Sequence, residues 1–575
     1  MTAMQNAAMQ GKGESVAEAY LSALHACGVK YVFANGGTDF APIIESLVSM
    51  SGQGRQIPTF MTVPHENVAI AMAQGYSKIS GEPSCVMVHV NVGTANTICG
   101  LMNAARDNVP VLLAAGRTPV TEAGLHGSRD VPIHWAQENF DQAAIVREHV
   151  KWDYELRSGQ PVNTMVMRAL DIAMSQPKGP VYLTLPREVL AEHHADHGSL
   201  PRGRALGAIP AAPSFAAIEQ AADMIAKAQS PLIIAGHPSS TREAFHAMGD
   251  LVHENAIMFV QGGAYHNIAS SNRMHLGLVS QAVVEKADLI IVMDSAVPWM
   301  PAHIKPKRDA KFIHIAHDPL FSRYPFRGFE MDLAVAGDPA AAIGMLRDAL
   351  RDRLKGQASA IETRRKLIAD MRAAQDEKVQ AAILAASTMA PISPLWVAAC
   401  LNKVKEKDAI ISDELGVPFP ALDLEESDCW VSTSSGALGM GIGQMLGAKV
   451  AAPHRQVIGI VGDGSYMFGV PTAAHFVQRA EKIPTLTLVM NNSQWFAVRR
   501  ATLSMYPDGH ASKANQLPVV ELAPSVDYEK IVEACGGHGE KVEDPAKLES
   551  TLRRSLEKVA SGTAVTLAIT TRPRG

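Results

Sequence analysis

The stretch that ends at Asn492 reads VIGIVGDGS, a helix-like segment, TLTLVM and then Asn491 and Asn492. A carboxylate just past one strand and an amide just past the next is how an α/β sheet offers oxygen ligands to a hard divalent cation. The spacing places Asp463 and Asn492 at adjacent strand ends. Gly462 and Gly464 let phosphate oxygens approach the backbone closely. The chain is thereby restricted to alternating strands and helices with a ligand at the strand ends.

With 575 residues, a prior of roughly 150 residues per domain suggests three or four domains. A 47% hydrophobic content supplies large cores and argues against disorder. A net charge of -5 with dispersed lysines and arginines speaks against nucleic-acid or polybasic membrane partners. Cys27, Cys85, Cys99, Cys400, Cys429 and Cys535 show no CxxC spacing and read as reduced thiols, with neither a disulfide frame nor a zinc site. MTAMQNAAMQGKGE lacks the apolar run of a signal peptide, and no segment approaches the ~20 apolar residues of a membrane span. A cytoplasmic protein is expected.

Three α/β blocks follow from the pattern of apolar runs. The first domain is assigned to 1–195, where YVFAN, SCVMVHV, VPVLLAAG and GPVYLTLP read as strands between alanine-rich helices. AEHHADHGSLPRGRALGAIPAAPS then reads as a linker, with His193, His194 and His197 as solvated residues. The second domain, 216–355, carries SPLIIAG, AIMFVQGG, ADLIIVMDS and KFIHIAHDP, again implying a parallel sheet. A charged helix, ETRRKLIADMRAAQDEKVQ, leads into the third domain, assigned to 375–575. That domain carries DAIISDELG, QVIGIVGDG, TLTLVMNN and TAVTLAITT. The first and third blocks share a coarse shape, as two related sheets would. ATLSMYPDGHASKANQLPVVELAP has no sustained period and reads as an irregular lid.

The Gly-Asp-Gly opening and Asn-Asn close resemble the diphosphate-and-metal signature of thiamine diphosphate enzymes. The resemblance implies three doubly wound parallel-sheet domains: pyrimidine-binding, central and diphosphate-binding. It implies thiamine diphosphate and Mg2+, with Asp463, Asn492 and the Gln494 carbonyl as metal ligands and Gly464 and Ser465 at the diphosphate. His65-Glu66, Ala69, Ala73 and Gly75-Tyr76 are similar to the family pattern whose glutamate bonds the aminopyrimidine ring. That makes Glu66 the activating acid. SSGALGMGIGQMLGAKVA resembles the segment that bends the cofactor, with Leu438 as the wedge and Gly436 as a carbonyl partner. Gly36, Gly37, Leu415 and Trp495 join the expected cofactor contacts.

FANGGTDF and VMVHVNVGTANTICGLMNAARDNVPVLLAAG look like stretches of benzoylformate decarboxylases. This likeness places Thr38 at a substrate-contacting position and His89 at a proton-shuttling one. Acetolactate synthases are similar across the chain, but HLGLVSQAVVEKADLIIVMDSAVPWMP departs from their flavin-binding pattern. FAD is therefore not expected, and Asp294 and Trp299 are read as lining a domain interface. His126 and His134 are read as surface loop residues.

The function implied is a 2-oxo acid decarboxylase or carboligase, forming an enamine that is protonated to an aldehyde or added to a second carbonyl. An alternative is a C–C lyase acting on a 2-hydroxy ketone or 2-hydroxyacyl thioester. An NAD- or FAD-dependent oxidoreductase would need a glycine fingerprint and following acid that are not found. In the family, the two ends of each cofactor are held by different subunits, which implies at least a homodimer and points to a homotetramer.

Overall fold

The computed structural model describes residues 13–200, 203, 205–238, 241–262 and 264–572. They fall into two compact units, one of Met1–Ile209, Thr433–Pro453 and Ser465–Ile483, the other of Pro210–Ser432, His454–Gly464 and Pro484–Gly575.

Three six-stranded parallel sheets organise the chain. The first runs Thr59–Thr62, Tyr31–Ala34, Ser84–Val88, Val111–Arg117, Val181–Pro186, Asp153–Glu155. The third runs Trp430–Val431, Ile410–Glu414, Val457–Gly462, Leu486–Asn491, Val565–Thr570, His538–Val542. Numbered within each sheet, both have the order 2-1-3-4-6-5. The middle sheet runs His275–Leu278, Met258–Gln261, Pro231–Ala235, Leu289–Met293, Lys311–Ala316, Leu333–Ala336, an order of 3-2-1-4-5-6. Every strand expected from an apolar run is present. In open parallel sheets, ligands bind beyond the carboxyl ends of the strands where the order reverses. In the first sheet that point lies between Tyr31–Ala34 and Ser84–Val88; in the third it lies between Ile410–Glu414 and Val457–Gly462. The residues that follow these strands include Thr38, His89, Leu415 and Asp463.

Burial on both faces explains why the central strands are apolar throughout. Leu289–Met293 is buried at every position, and helix Pro339–Arg353 covers that sheet with Ala342, Ile343, Leu346 and Leu350 at helical spacing. The Ala358–Ala386 helix buries little beyond Arg364 and Ile368. Its Arg364 Nη1 and Nη2 donate to carbonyls of Ile225, Ala228 and Asn255.

The glycine run after Leu438 has a packing purpose. Helix Gly441–Ala451 lies against helix Glu66–Ser80 at backbone contact. A Cβ on Gly447 would stand 1.9 Å from the Met72 carbonyl oxygen, and one on Gly75 would stand 2.0 Å from that of Gln444. Only glycine permits this approach.

Four local expectations are corrected. His193–His194 forms a two-stranded antiparallel sheet with Glu14–Ser15, and His197 is buried with its Nε2 2.9 Å from the Glu14 carbonyl. The linker histidines are tied down because they serve the chain's own N-terminal edge. Trp299, read at a domain interface, packs edge-on to Phe329 and tilted against Phe312 in the middle core. His134 is buried, its Nδ1 accepting from the Asp130 amide at 3.3 Å. Helix Phe496–Met505 runs into the segment read as irregular, and helix His510–Ala514 lies within it. Among the described residues no helix is long and apolar enough to cross a membrane.

Candidate active site

Glu66 is the first residue of helix Glu66–Ser80, where the helix dipole favours a carboxylate. His65 caps the helix, its Nδ1 accepting from the Asn67 amide at 3.1 Å. The Glu66 side chain is almost entirely buried. Asn96 donates to its Oε2 at 3.0 Å, and a Cβ on Gly93 would stand 3.3 Å from Oε1. Asn67 donates its side-chain amide to the carbonyls of Gly439 and Phe468, both at 3.3 Å. Glu66 and the glycine-rich segment are thereby brought into one unit.

The approach to that segment is clamped by side chains of the same unit. Asn103 donates to the Ala437 carbonyl at 2.9 Å and accepts from the Ser435 hydroxyl. Asp107 accepts from the Ser434 amide at 3.0 Å and forms a buried ion pair with Lys78 at 2.8 Å. Between these anchors Gly436 is exposed in a left-handed conformation with φ 73°, and Leu438 is half-buried.

On the loops after Tyr31–Ala34 and Ser84–Val88, Thr38 is exposed and His89 is half-buried. His89 Nδ1 lies 2.5 Å from Asp39 Oδ1. This hydrogen bond raises the imidazole above its ordinary range against the opposing effect of burial; Gln137 and the Glu66 charge add to the rise. Gly36 has open space around it, whereas Gly37 abuts the His89 ring.

In the other unit, Asp463 follows strand Val457–Gly462 and Asn492 follows Leu486–Asn491 in the neighbouring strand. Asp463 is 2% exposed. Its Oδ1 accepts from the Gly464 amide at 2.9 Å; its Oδ2 accepts from the amides of Ser493 at 2.6 Å and Asn492 at 3.2 Å. Burial pushes this carboxyl upward while the backbone donors pull it down. A cation suits such a group, because amides alone orient it and its charge remains. Among the described residues no cluster of three or more His, Cys, Asp or Glu could hold a metal. A set built on Asp463 would have to be completed by amide, hydroxyl or main-chain oxygens.

The Asn492 side-chain oxygen accepts from the Gln494 amide at 3.2 Å. Gln494 bridges to Glu521, and the Trp495 amide donates to the Val520 carbonyl at 2.8 Å, so the supposed lid is stitched to the turn after strand Leu486–Asn491. The Trp495 ring lies on Gly464, where a Cβ would stand 2.2 Å from Cζ3. Leu415 has φ 62° and is 61% exposed beside Val461. Ser465 is buried in the helix that Asp463 opens, and it belongs to the same unit as Glu66.

Sequence reasoning passed over Asp39, Asn96, Gln137, Asn103 and Asp107. Asp39 had a signal, being an acid directly after Thr38 in GGTDF. Asn96 follows His89 by less than two helical turns, a spacing that has meaning only once the turn of 90–97 is known.

Comparison with known proteins bears on what these sites hold. Three descriptions of thiamine pyrophosphate enzymes match in order: the N-terminal TPP binding domain over residues 14–145, the central domain over 218–346 and the C-terminal TPP binding domain over 421–566. The chain is 24% identical over 522 residues to the acetolactate synthase large subunit IlvG of Mycobacterium tuberculosis, covering 88% of each. It is 22% identical over 548 residues to the benzoylformate decarboxylase of Pseudomonas aeruginosa, covering 92% of this chain and 94% of that one. A thiamine diphosphate-dependent 4-hydroxybenzoylformate decarboxylase from Rhodococcus jostii RHA1 shares the fold, with TM-score 0.78, 19% identity and coverage of 97% and 99%. All three domain descriptions lie in order along these sheets and the relatives span most of the chain, so the protein belongs to the thiamine pyrophosphate enzyme family.

Proposed function

We propose that this chain is a thiamine diphosphate- and Mg2+-dependent 2-oxo acid decarboxylase or carboligase. The observation that carries the reading is Glu66, a buried carboxylate oriented by Asn96 at a helix N-terminus, in the unit that also holds His89. Asp463, Asn492 and the Gln494 carbonyl would hold Mg2+. Gly464 and Ser465 would receive the diphosphate, and Gly436, Leu438, Leu415 and Trp495 would contact the rings. When bound, thiamine diphosphate supplies the nucleophilic carbon and electron sink that decarboxylation of a 2-oxo acid needs.

The chain's own groups do the remaining work. Glu66 would share a proton with an aminopyrimidine nitrogen. The exposed Thr38 hydroxyl hydrogen-bonds the substrate carboxylate. His89 donates a proton at the carbon that has lost carbon dioxide. A homodimer is the smallest active species proposed, with a homotetramer as the working state, and a cytoplasmic location is proposed with it. Sedimentation of the active enzyme as a monomer would exclude the oligomer.

The test has two stages. Thiamine diphosphate with Mg2+ should raise the unfolding temperature, whereas NAD and FAD should not. Pyruvate, a longer aliphatic 2-oxo acid and benzoylformate are then offered, with products separated as aldehyde or 2-hydroxy ketone. Turnover of at least one is expected. Failure with all, together with cleavage of a 2-hydroxyacyl thioester, would replace this reading with the lyase one.

A further inference from the structure

Asp39 is a buried acid that the function proposed above does not use. Its side chain is 2% exposed, in the short turn Thr38–Phe40 that follows strand Tyr31–Ala34. One oxygen lies 2.5 Å from His89 Nδ1 and the other lies 3.4 Å from the Val90 amide. The space for this pair is cleared by two glycines, one on a further segment and one in Asp39's own loop. A Cβ on Gly116, at the end of Val111–Arg117, would stand 1.6 Å from Asp39 Oδ2. A Cβ on Gly37 would stand 2.1 Å from His89 Nδ1. Three strand ends of one sheet therefore converge on a single carboxylate–imidazole contact. Its geometry prescribes the tautomer, since a carboxylate accepting at Nδ1 keeps the proton there and leaves Nε2 as the exchanging nitrogen.

We propose that Asp39 is a positioning residue that holds the His89 ring by Nδ1, so that Nε2 is the nitrogen that delivers a proton to the substrate. In the step, the Nε2–H bond breaks and a C–H bond forms at the carbon that has lost carbon dioxide. The imidazolium becomes neutral imidazole with Nδ1–H retained against Asp39, and solvent water restores the proton. The identity of the acceptor carbon rests on the 2-oxo acid reading; the pairing itself does not.

The groups facing His89 set the direction of its titration. Asp39 raises it most, Glu66 and Gln137 raise it further, and burial opposes them. His134 is held low by burial and by Arg187, with Arg129 and His89 adding to that, so it is a neutral neighbour at neutral pH.

Histidine Cε1–H resonances of the cofactor-free chain give the test, with His89 assigned through His89→Gln. In Asp39→Asn the His89 midpoint should move down, and neutral wild-type His89 should show the Nδ1–H tautomer. In the loaded enzyme, Asp39→Asn should lower kcat by about 10- to 100-fold and shift the alkaline limb of its pH profile to lower pH, with KM little changed. Added to His89→Gln, it should cost no more than about 3-fold further. An unmoved midpoint in a variant that unfolds like wild type would overturn the proposal. If Asp39→Asn does not fold, an Nε2–H tautomer in wild type overturns it as well. A moved midpoint without turnover of any 2-oxo acid would sink the function and leave the pairing standing.

Discussion

Asn96 Nδ2 lies 3.0 Å from Glu66 Oε2, so a neutral amide orients the carboxylate at the N-terminus of a helix buried along most of its length. A neutral donor steers the acid without neutralising it, as a lysine or arginine would. Glu66→Gln keeps the shape, because the amide can turn its carbonyl to Asn96, but removes the exchangeable proton. Turnover should fall by at least about 100-fold while calorimetric binding of thiamine diphosphate with Mg2+ changes little. Asn96→Ala should cost about 10-fold by freeing the carboxylate to rotate. Wild-type rates in Glu66→Gln would remove the residue from catalysis.

In the other unit, Asp463 is fixed by backbone amides of Gly464, Asn492 and Ser493. Its geometry is preset, so removing the charge should abolish ligand-induced stabilisation without reshaping the turn. Saturating thiamine diphosphate and Mg2+ at about 100 times the dissociation constant should stabilise wild type by about 2.7 kcal/mol. Asp463→Ala should show almost none of this in a thermal scan, and EDTA should erase it from wild type. A full shift in Asp463→Ala would place the metal elsewhere.

The interior of each sheet was legible in the sequence and its borders were not. Leu289–Met293 and Leu486–Asn491 are buried at every position, and such strands announce themselves as apolar runs. Among the outer strands, Thr59–Thr62 was read only as the strand before Glu66, while Asp153–Glu155, His275–Leu278, Leu333–Ala336, Trp430–Val431 and His538–Val542 went unread. Asp153–Glu155 is half-exposed throughout and His538–Val542 nearly so, which leaves no hydrophobic period to read. The site divides similarly. Asp463 and Asn492 stand at strand ends flanked by recognisable runs, whereas Asp39 and Gly116 are far apart in sequence and meet only when strands of the first sheet are placed side by side.

Gly447 separates a packing glycine from an idle one. A methyl group there would stand 1.9 Å from the Met72 carbonyl oxygen, in a backbone contact that cannot yield by rotating a side chain. Gly344, in helix Pro339–Arg353, has nothing within 4 Å of the same position. Gly447→Ala should lower stability by roughly 1–3 kcal/mol or more, and Gly344→Ala should raise it by about 0.5–1 kcal/mol. Denaturant titration of both variants decides the matter, and equal effects would mean that the helix contact is loose.

Asp294 makes stability depend on pH in the middle sheet. It follows strand Leu289–Met293 with φ 47°, and its enclosure, helped by Asp338, pushes its carboxyl up to about 7. In the unfolded chain an aspartate titrates near about 3.9. Below that pH both states hold the proton and nothing is lost. As pH rises, the unfolded chain releases the proton first, so stability declines until the folded carboxyl ionises at about 7. An asparagine side chain at this position would carry no charge and tolerates the left-handed backbone. The unfolding temperature of Asp294→Asn should therefore exceed that of wild type at a pH of about 8, and the gap should narrow at about 5. A gap independent of pH would show that Asp294 ionises in the fold as it does in water.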